Sequence, residues 1–231
     1  TIDFFSALAG KPLAPHGMPM NMSHVNLGKP VVKGEPPVIV DQWHVDSVDY
    51  VCVIIMSDIS QSIGGDLQVL CKPGVRDNVA FLSKGVTPCL EHLVRTIQYP
   101  GKGYALFIRG SQVLHRITPV LEALEPRVSV VNSYMSRNVF DADSTRYRTF
   151  EHQDPKHISN VEFSRHTAWR VQGMMKYIME EVKWGSSNEE LASVMRRAAA
   201  ELEKAAALVN HDKDDLLAWI KEEGIDEQLR K

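Results

Sequence analysis

The segment Gln42-Trp43-His44-Val45-Asp46-Ser47 sets an imidazole and a carboxylate two residues apart, just ahead of the apolar, β-rich run Tyr50–Ser57. In extended chain, side chains at i and i+2 point to one face. His44 and Asp46 can therefore offer a ring nitrogen and a carboxylate oxygen to one ion. A third candidate ligand, His115, follows an expected strand at Tyr104–Arg109 and the turn residues Gly110-Ser111. Two histidines and one carboxylate hold one face of an octahedral metal and leave three positions open. A bidentate 2-oxo acid fills two of these and O2 the third.

Arg127 opens another expected strand 12 residues after His115 (127 − 115). On it Arg127, Ser129, Val131 and Ser133 share one face, while Val128, Val130 and Tyr134 share the other. A strand with a guanidinium and two hydroxyls on one side suits the lining of a polar pocket. The far carboxylate of a 2-oxo diacid needs a planar two-pronged donor, which arginine supplies. Of His24 and Asn26, in the expected strand Met20–Leu27, Asn26 is the expected pocket contact, on the reading that only one of the two occupies a given face. Gln42 is expected on the side of His44. Arg109 and Arg116, flanking the distal histidine, are candidate clamps for an acidic substrate, with solvated strand-end arginines as the plainer reading. Trp43 is expected in the core.

Taken together, H-x-D, a distal histidine and R-x-S resemble the Fe(II)/2-oxoglutarate-dependent dioxygenase superfamily over roughly Met20 to Arg137. The pair Gly64-Gly65 ahead of Asp66-Leu67 is similar to the Gly-Gly turn of several subfamilies. The resemblance implies a mainly β fold with added α: a double-stranded β-helix, or distorted jelly roll, followed by C-terminal helices. It implies His44, Asp46 and His115 as ligands of Fe(II), Arg127 as the anchor of the 2-oxoglutarate C5 carboxylate, and Ser129 as its helper. It further implies an oxidoreductase that uses O2 to hydroxylate or otherwise oxidise a small organic metabolite, releasing succinate and CO2. Asp46 stands where halogenases carry a small residue, which argues against halogenation. A gap of 69 residues separates Asp46 from His115 (115 − 46), so Val75–Tyr99 is expected to hold inserted strands or a lid. Two other readings stay open: a cupin-like metal-binding module without 2-oxoglutarate, and a protein- or peptide-modifying oxygenase.

The elements that must position these residues change texture near residue 150. Before it come short Val- and Ile-rich runs, among them Leu67–Leu70, Val79–Leu82 and Leu93–Gln98, at a spacing that suggests an antiparallel sandwich or barrel. After it come helical segments, Asn160–Trp184, Ser187–Asn210 and about Lys213–Lys221. Ser187 with Glu190 fits a capping box, and Gly185 and Gly224 sit where helices would stop. The expected division is therefore 1–150 for the β-helix core and 151–231 for helices that pack on the core or form a homo-oligomer contact. Arg165, His166, Trp169 and Arg170 are expected mainly to cover the sheet, with closure over the site as the less favoured reading. Arg137–Lys156 reads as a loop or linker.

Composition sets outer bounds. A net charge of −3 over 231 residues provides no basic field for nucleic acid or an anionic membrane. No apolar run approaches the roughly 20 residues a membrane span requires. The three cysteines, Cys52, Cys71 and Cys89, are odd in number and match no C-x-x-C pattern, as suits a reducing, cytoplasmic compartment. Cys52, inside an apolar run, is expected in the core. The chain starts at Thr1 without an initiator Met or a basic-then-apolar leader, so a trimmed or missing N-terminus is expected.

Overall fold

A computed structural model describes residues 1–32, 41–70 and 92–210. The expected strand Val79–Leu82, the expected helix Lys213–Lys221, Cys71, Cys89 and Gly224 lie outside the described residues. The chain forms two compact units, one of Met20–Tyr134 and one of Thr1–Pro19 with the chain from Met135 onward.

The Met20–Tyr134 unit carries two antiparallel sheets. One runs in the order β2 (His24–Gly28), β11 (Arg127–Ser136), β4 (Tyr50–Ile55), β8 (Ala105–Ile108). The other runs β3 (Asp41–His44), β9 (His115–Ile117), β6 (Leu67–Leu70), β7 (Val94–Ile97). Along the chain the strands pass back and forth between these sheets. A small ladder of β5 (Ile63–Gly64) and β10 (Val120–Glu122) completes the unit among the described residues. β4 is central, its residues β-branched or aromatic except Cys52, and Tyr50, Val51, Cys52 and Ile55 are all buried. That is why its run is apolar at nearly every position instead of alternating. Trp43 packs with Val45, Leu70, Leu114, Leu93 and Val94 on one face of the second sheet, in the core as expected.

Directly opposed residues in a sheet share a face, so the registers sort the side chains. In the first sheet Asn26, Ser129 and Ile55 form one row, and His24, Val131, Val53 and Leu106 the next. Residues two apart on a strand cannot be divided between faces, so His24 and Asn26 share one, contrary to the sequence reading. In the second sheet His44, His115, Val69 and Arg95 form a single row.

The other unit begins with α1 (Ile2–Ala9), closed by Gly10 in the left-handed region, and β1 (Leu13–Pro15). Helices α2 (Tyr147–Gln153), α3 (Lys156–Glu180) and α4 (Asn188–Val209) follow. α2 falls inside the stretch that reads as a linker. Tyr147 and Phe150, one turn apart, are its buried anchors, and the Tyr147 ring packs on Phe163 at 5.1 Å. Two apolar residues in a polar stretch leave too faint a period to read. α3 starts four residues earlier than its apolar pattern suggests, directly after Pro155, and ends before Trp184, which is fully exposed. At α4 the Ser187 half of the capping box forms, its hydroxyl accepting the Glu190 N–H at 3.1 Å, while Glu190 Oε1 accepts from the Tyr177 hydroxyl at 3.2 Å. Val194 and Ala198 of α4 pack with Val139, Met174 and Trp169, while Met195 and Leu202 of the same helix are exposed. No helix among the described residues is long and apolar enough to cross a membrane.

Candidate metal centre

His44 ends β3, Asp46 lies two residues beyond it, and His115 begins β9. The β3–β9 register sets His44 directly opposite His115, with ring centroids 4.3 Å apart. Asp46 Oδ1 lies 3.3 Å from His44 Nε2 and 3.6 Å from His115 Nε2. One ligand atom from each of the three falls within 4.8 Å of the others. His115 is buried, and His44 and Asp46 are half-buried, so the cluster is open on one side.

The second ring nitrogens fix the chemistry of the first. His44 Nδ1 lies 2.7 Å from Gln42 O and His115 Nδ1 2.8 Å from Val113 O. A carbonyl oxygen only accepts, so each Nδ1 carries the proton and donates. In the neutral rings both Nε2 lone pairs then aim at the Asp46 carboxylate, and three acceptors converge with no donor among them. A divalent cation at their focus resolves that conflict, and carbonyl-bound Nδ1–H groups are the usual outer support of metal-ligating histidines. The residues present fit such an ion.

Asp46 is held from behind. Its N–H bonds Gly110 O at 2.9 Å, and a Cβ on Gly110 would stand 2.0 Å from Asp46 Oδ2. Only glycine leaves space for that carboxylate.

Arg127 is 4% exposed. Its Nη1 donates to Ser129 Oγ at 3.2 Å, while Nη2 is buried with no hydrogen-bond partner among the described residues. The guanidinium lies over the Tyr99 ring, 5.8 Å from its centroid. Burial pulls the Arg127 pKa down, with Tyr99 and Asp66 opposing, and burial pushes the Tyr99 hydroxyl up. A Cβ on Gly65 would meet Arg127 Cδ at 2.9 Å, and Gly65 has a φ of +74°. Gly65 thus gives the arginine its channel, while Gly64 leaves space for the Pro119 carbonyl. Gly65 precedes β6 and Tyr99 follows β7, so the Arg127–Ser129 face of the first sheet turns toward the second. A guanidinium with an unmet buried donor fits an anionic, two-oxygen ligand.

The other sequence candidates fall as follows. Asn26 sits opposite Ser129 and shares its face. Gln42 is exposed and its carbonyl is engaged by His44, and the β3–β9 register slips between Asp41 and His44, so strand alternation does not by itself assign its side chain to the site. Arg109 lies over the Tyr50 ring at 5.7 Å. Tyr50 pairs with Tyr134, on the face opposite Ser129. Arg116 donates to Gln68 Oε1 at 2.8 Å and covers Trp43 at 4.9 Å, on the face opposite its neighbour His115. His166 and Arg170 are committed within their own unit, to Asp143 at 2.8 Å and Glu201 at 2.7 Å. Of Val75–Tyr99, residues 94–97 form β7, a member of the sheet. Tyr99 was not visible as a site residue, because only the register of β7 brings it to Arg127.

No protein-family model matches the chain, and no curated protein matches it. Among solved structures it is similar to the crystal structure of a bsmA homolog from Methylobium petroleophilum PM1, at 21% identity over 48% of this chain, with a TM-score of 0.29. It is also similar to the crystal structure of IDO from Bacillus thuringiensis, at 16% identity over 42% of this chain, with a TM-score of 0.29. In each case the likeness spans 36% of the other chain, well short of two thirds of its length.

Proposed function

We propose that this chain is a non-haem Fe(II)- and 2-oxoglutarate-dependent oxygenase acting on a small organic metabolite. The observation that carries the reading is the coincidence of two features in one unit. His44, Asp46 and His115 each bring a ligand atom within 4.8 Å of the others, and Arg127 holds a buried donor with no partner among the described residues. A cation suits the first and the carboxylate of a chelating diacid the second. A cupin-like module without 2-oxoglutarate leaves the Arg127 donor unexplained. The two sheet orders, with strands passing between them along the chain, support a double-stranded β-helix.

When bound, iron and 2-oxoglutarate supply O2 activation coupled to decarboxylation to succinate and CO2. The protein's own part is positional. The Nδ1–H bonds to Gln42 and Val113 hold the two imidazoles in the ligating tautomer, and Gly110 keeps Asp46 forward. Arg127, with Ser129, orients the diacid by its far carboxylate. Burial around Arg127 excludes water that would compete for that carboxylate.

The test is succinate release from 2-oxoglutarate by the purified chain with Fe(II) and ascorbate. Metal-dependent release that is lost in Arg127→Ala is expected. No release from wild type, or undiminished release from the variant, would count against the reading.

A further inference from the structure

We infer that Arg95 is a specificity residue of this oxygenase, one that binds the carboxylate of a small aliphatic acid while the carbon to be oxidised lies at the metal. The inference rests on the proposed function and deepens it by naming a substrate class.

Placement is the first ground. Val69 pairs with His115 on one side and with Arg95 on the other. Arg95 therefore stands in the row of the two histidine ligands and on their face of the sheet. Two strand spacings separate it from His115, about 10 Å between backbones. An extended arginine spans several ångströms of that gap, leaving room for a molecule of roughly four to seven carbons between guanidinium and metal.

Availability is the second ground. The neighbouring strand arginine, Arg116, is engaged by Gln68 and Trp43 on the opposite face, and Gln68 in turn donates to Thr96 at 3.2 Å. Arg95, one residue from Thr96 and on the opposite face, makes no hydrogen bond, ion pair or ring contact among the described residues. It is exposed, so its charge is open to a ligand.

The lining supplies the rest. On the facing side of the first sheet the row beside Ser129 holds Val131, Val53 and Leu106, with His24 at its end. In the ligand sheet, Val69 lies between His115 and Arg95. Aliphatic groups between a cation and a metal suit an aliphatic chain with one charged end. Arg127 is committed to the buried anchor, which leaves Arg95 as the one guanidinium on this strip among the described residues. One guanidinium matches a carboxylate in charge and geometry, whereas a phosphate would call for further cations.

Binding can be read without turnover. The protein loaded with Co(II) and 2-oxoglutarate under nitrogen is titrated with four- to seven-carbon aliphatic carboxylic and amino acids and with their primary amides, following the visible Co(II) absorption. At least one acid should bind, its amide about 30-fold more weakly. Arg95→Ala should weaken the acid about 30-fold and erase the difference between acid and amide, with Arg95→Lys intermediate. Melting curves and Co(II) uptake report whether each variant keeps its fold, and Arg95→Gln provides a second neutral replacement. Equal binding of acid and amide, wild-type acid affinity in both neutral variants, or no acid bound by wild type overturns the inference. Failure of the parent reading looks different, because wild type would then take up no Co(II) or release no succinate with Fe(II).

Discussion

His44 and His115 face each other across a register pair, their rings 4.3 Å apart, and each donates its Nδ1–H to the carbonyl two residues before it. The same local turn is thus used twice to aim two Nε2 atoms at one carboxylate. Removing either ring should break the site. His115→Ala is expected to lower Co(II) or Fe(II) affinity by at least about 100-fold. It should also abolish the stabilisation of about 2.7 kcal/mol that metal at 100 times the dissociation constant gives the wild type. Calorimetric titration and melting with and without metal measure both. Wild-type affinity in the variant would remove His115 from the ligand set.

Gly110 makes a sharper test, because it contributes no ligand atom. A methyl group there would meet Asp46 Oδ2 at 2.0 Å, so the carboxylate must rotate or the loop must move. Gly110→Ala should reduce metal affinity at least about tenfold while the metal-free protein still melts cooperatively. An unchanged Co(II) titration would show that the position of Asp46 does not matter to the ion.

How far such features can be read from sequence depends on whether they are local. His44 and Asp46 are legible because they stand only two residues apart, and the Ser187–Glu190 cap because it closes over three. For Gln42 alternation alone does not suffice, since the slip in the β3–β9 register is set by the partner strand. Arg116 and Arg95 look alike in sequence, yet strand pairing sends one to Gln68 and Trp43 and the other to the ligand face. The many short apolar runs announce antiparallel sheets but not their order, which is a matter of long-range pairing. Tyr99 and α2 had no periodic signal at all.

Arg127 poses a conflict between stability and function. Its buried guanidinium has one donor engaged by Ser129 and another unmet among the described residues, so folding without ligand strips water from a charge and replaces it only in part. Arg127→Met fills similar space without the charge. It should stabilise the ligand-free protein by on the order of 1–3 kcal/mol and abolish the rise in melting temperature that 2-oxoglutarate gives the metal-loaded wild type. A variant that melts lower than wild type without ligand would mean that the guanidinium is better satisfied than its hydrogen bonds indicate.

The Thr1–Pro19 and post-Met135 unit should be acid-sensitive through His16. This ring is buried and stacked 4.8 Å from His166 at 5°. Its Nδ1 accepts the Met18 N–H at 3.2 Å, so Nε2 carries the proton toward Thr145 Oγ1 at 3.1 Å, and Thr145 donates to Asp143 Oδ1 at 2.6 Å. Burial first, and then His166, push the His16 pKa down to about 3, with Asp143 opposing. Added protonation would put an N–H against the Met18 N–H. The unfolded chain therefore binds a proton that the folded chain refuses between about pH 6.5 and 3, so stability is full above that window. It falls by about 1.4 kcal/mol per pH unit as the pH drops through it. Asp143 acts lower still. Burial would raise its carboxyl, but His166, Thr145 and Arg170 outweigh that and hold it well below the usual range, so its share is lost only below about pH 4. In denaturant unfolding between pH 6.5 and 4.5, His16→Gln should flatten the decline by about 2–3 kcal/mol relative to wild type. Parallel declines in the two proteins would show that His16 is not the group refusing the proton.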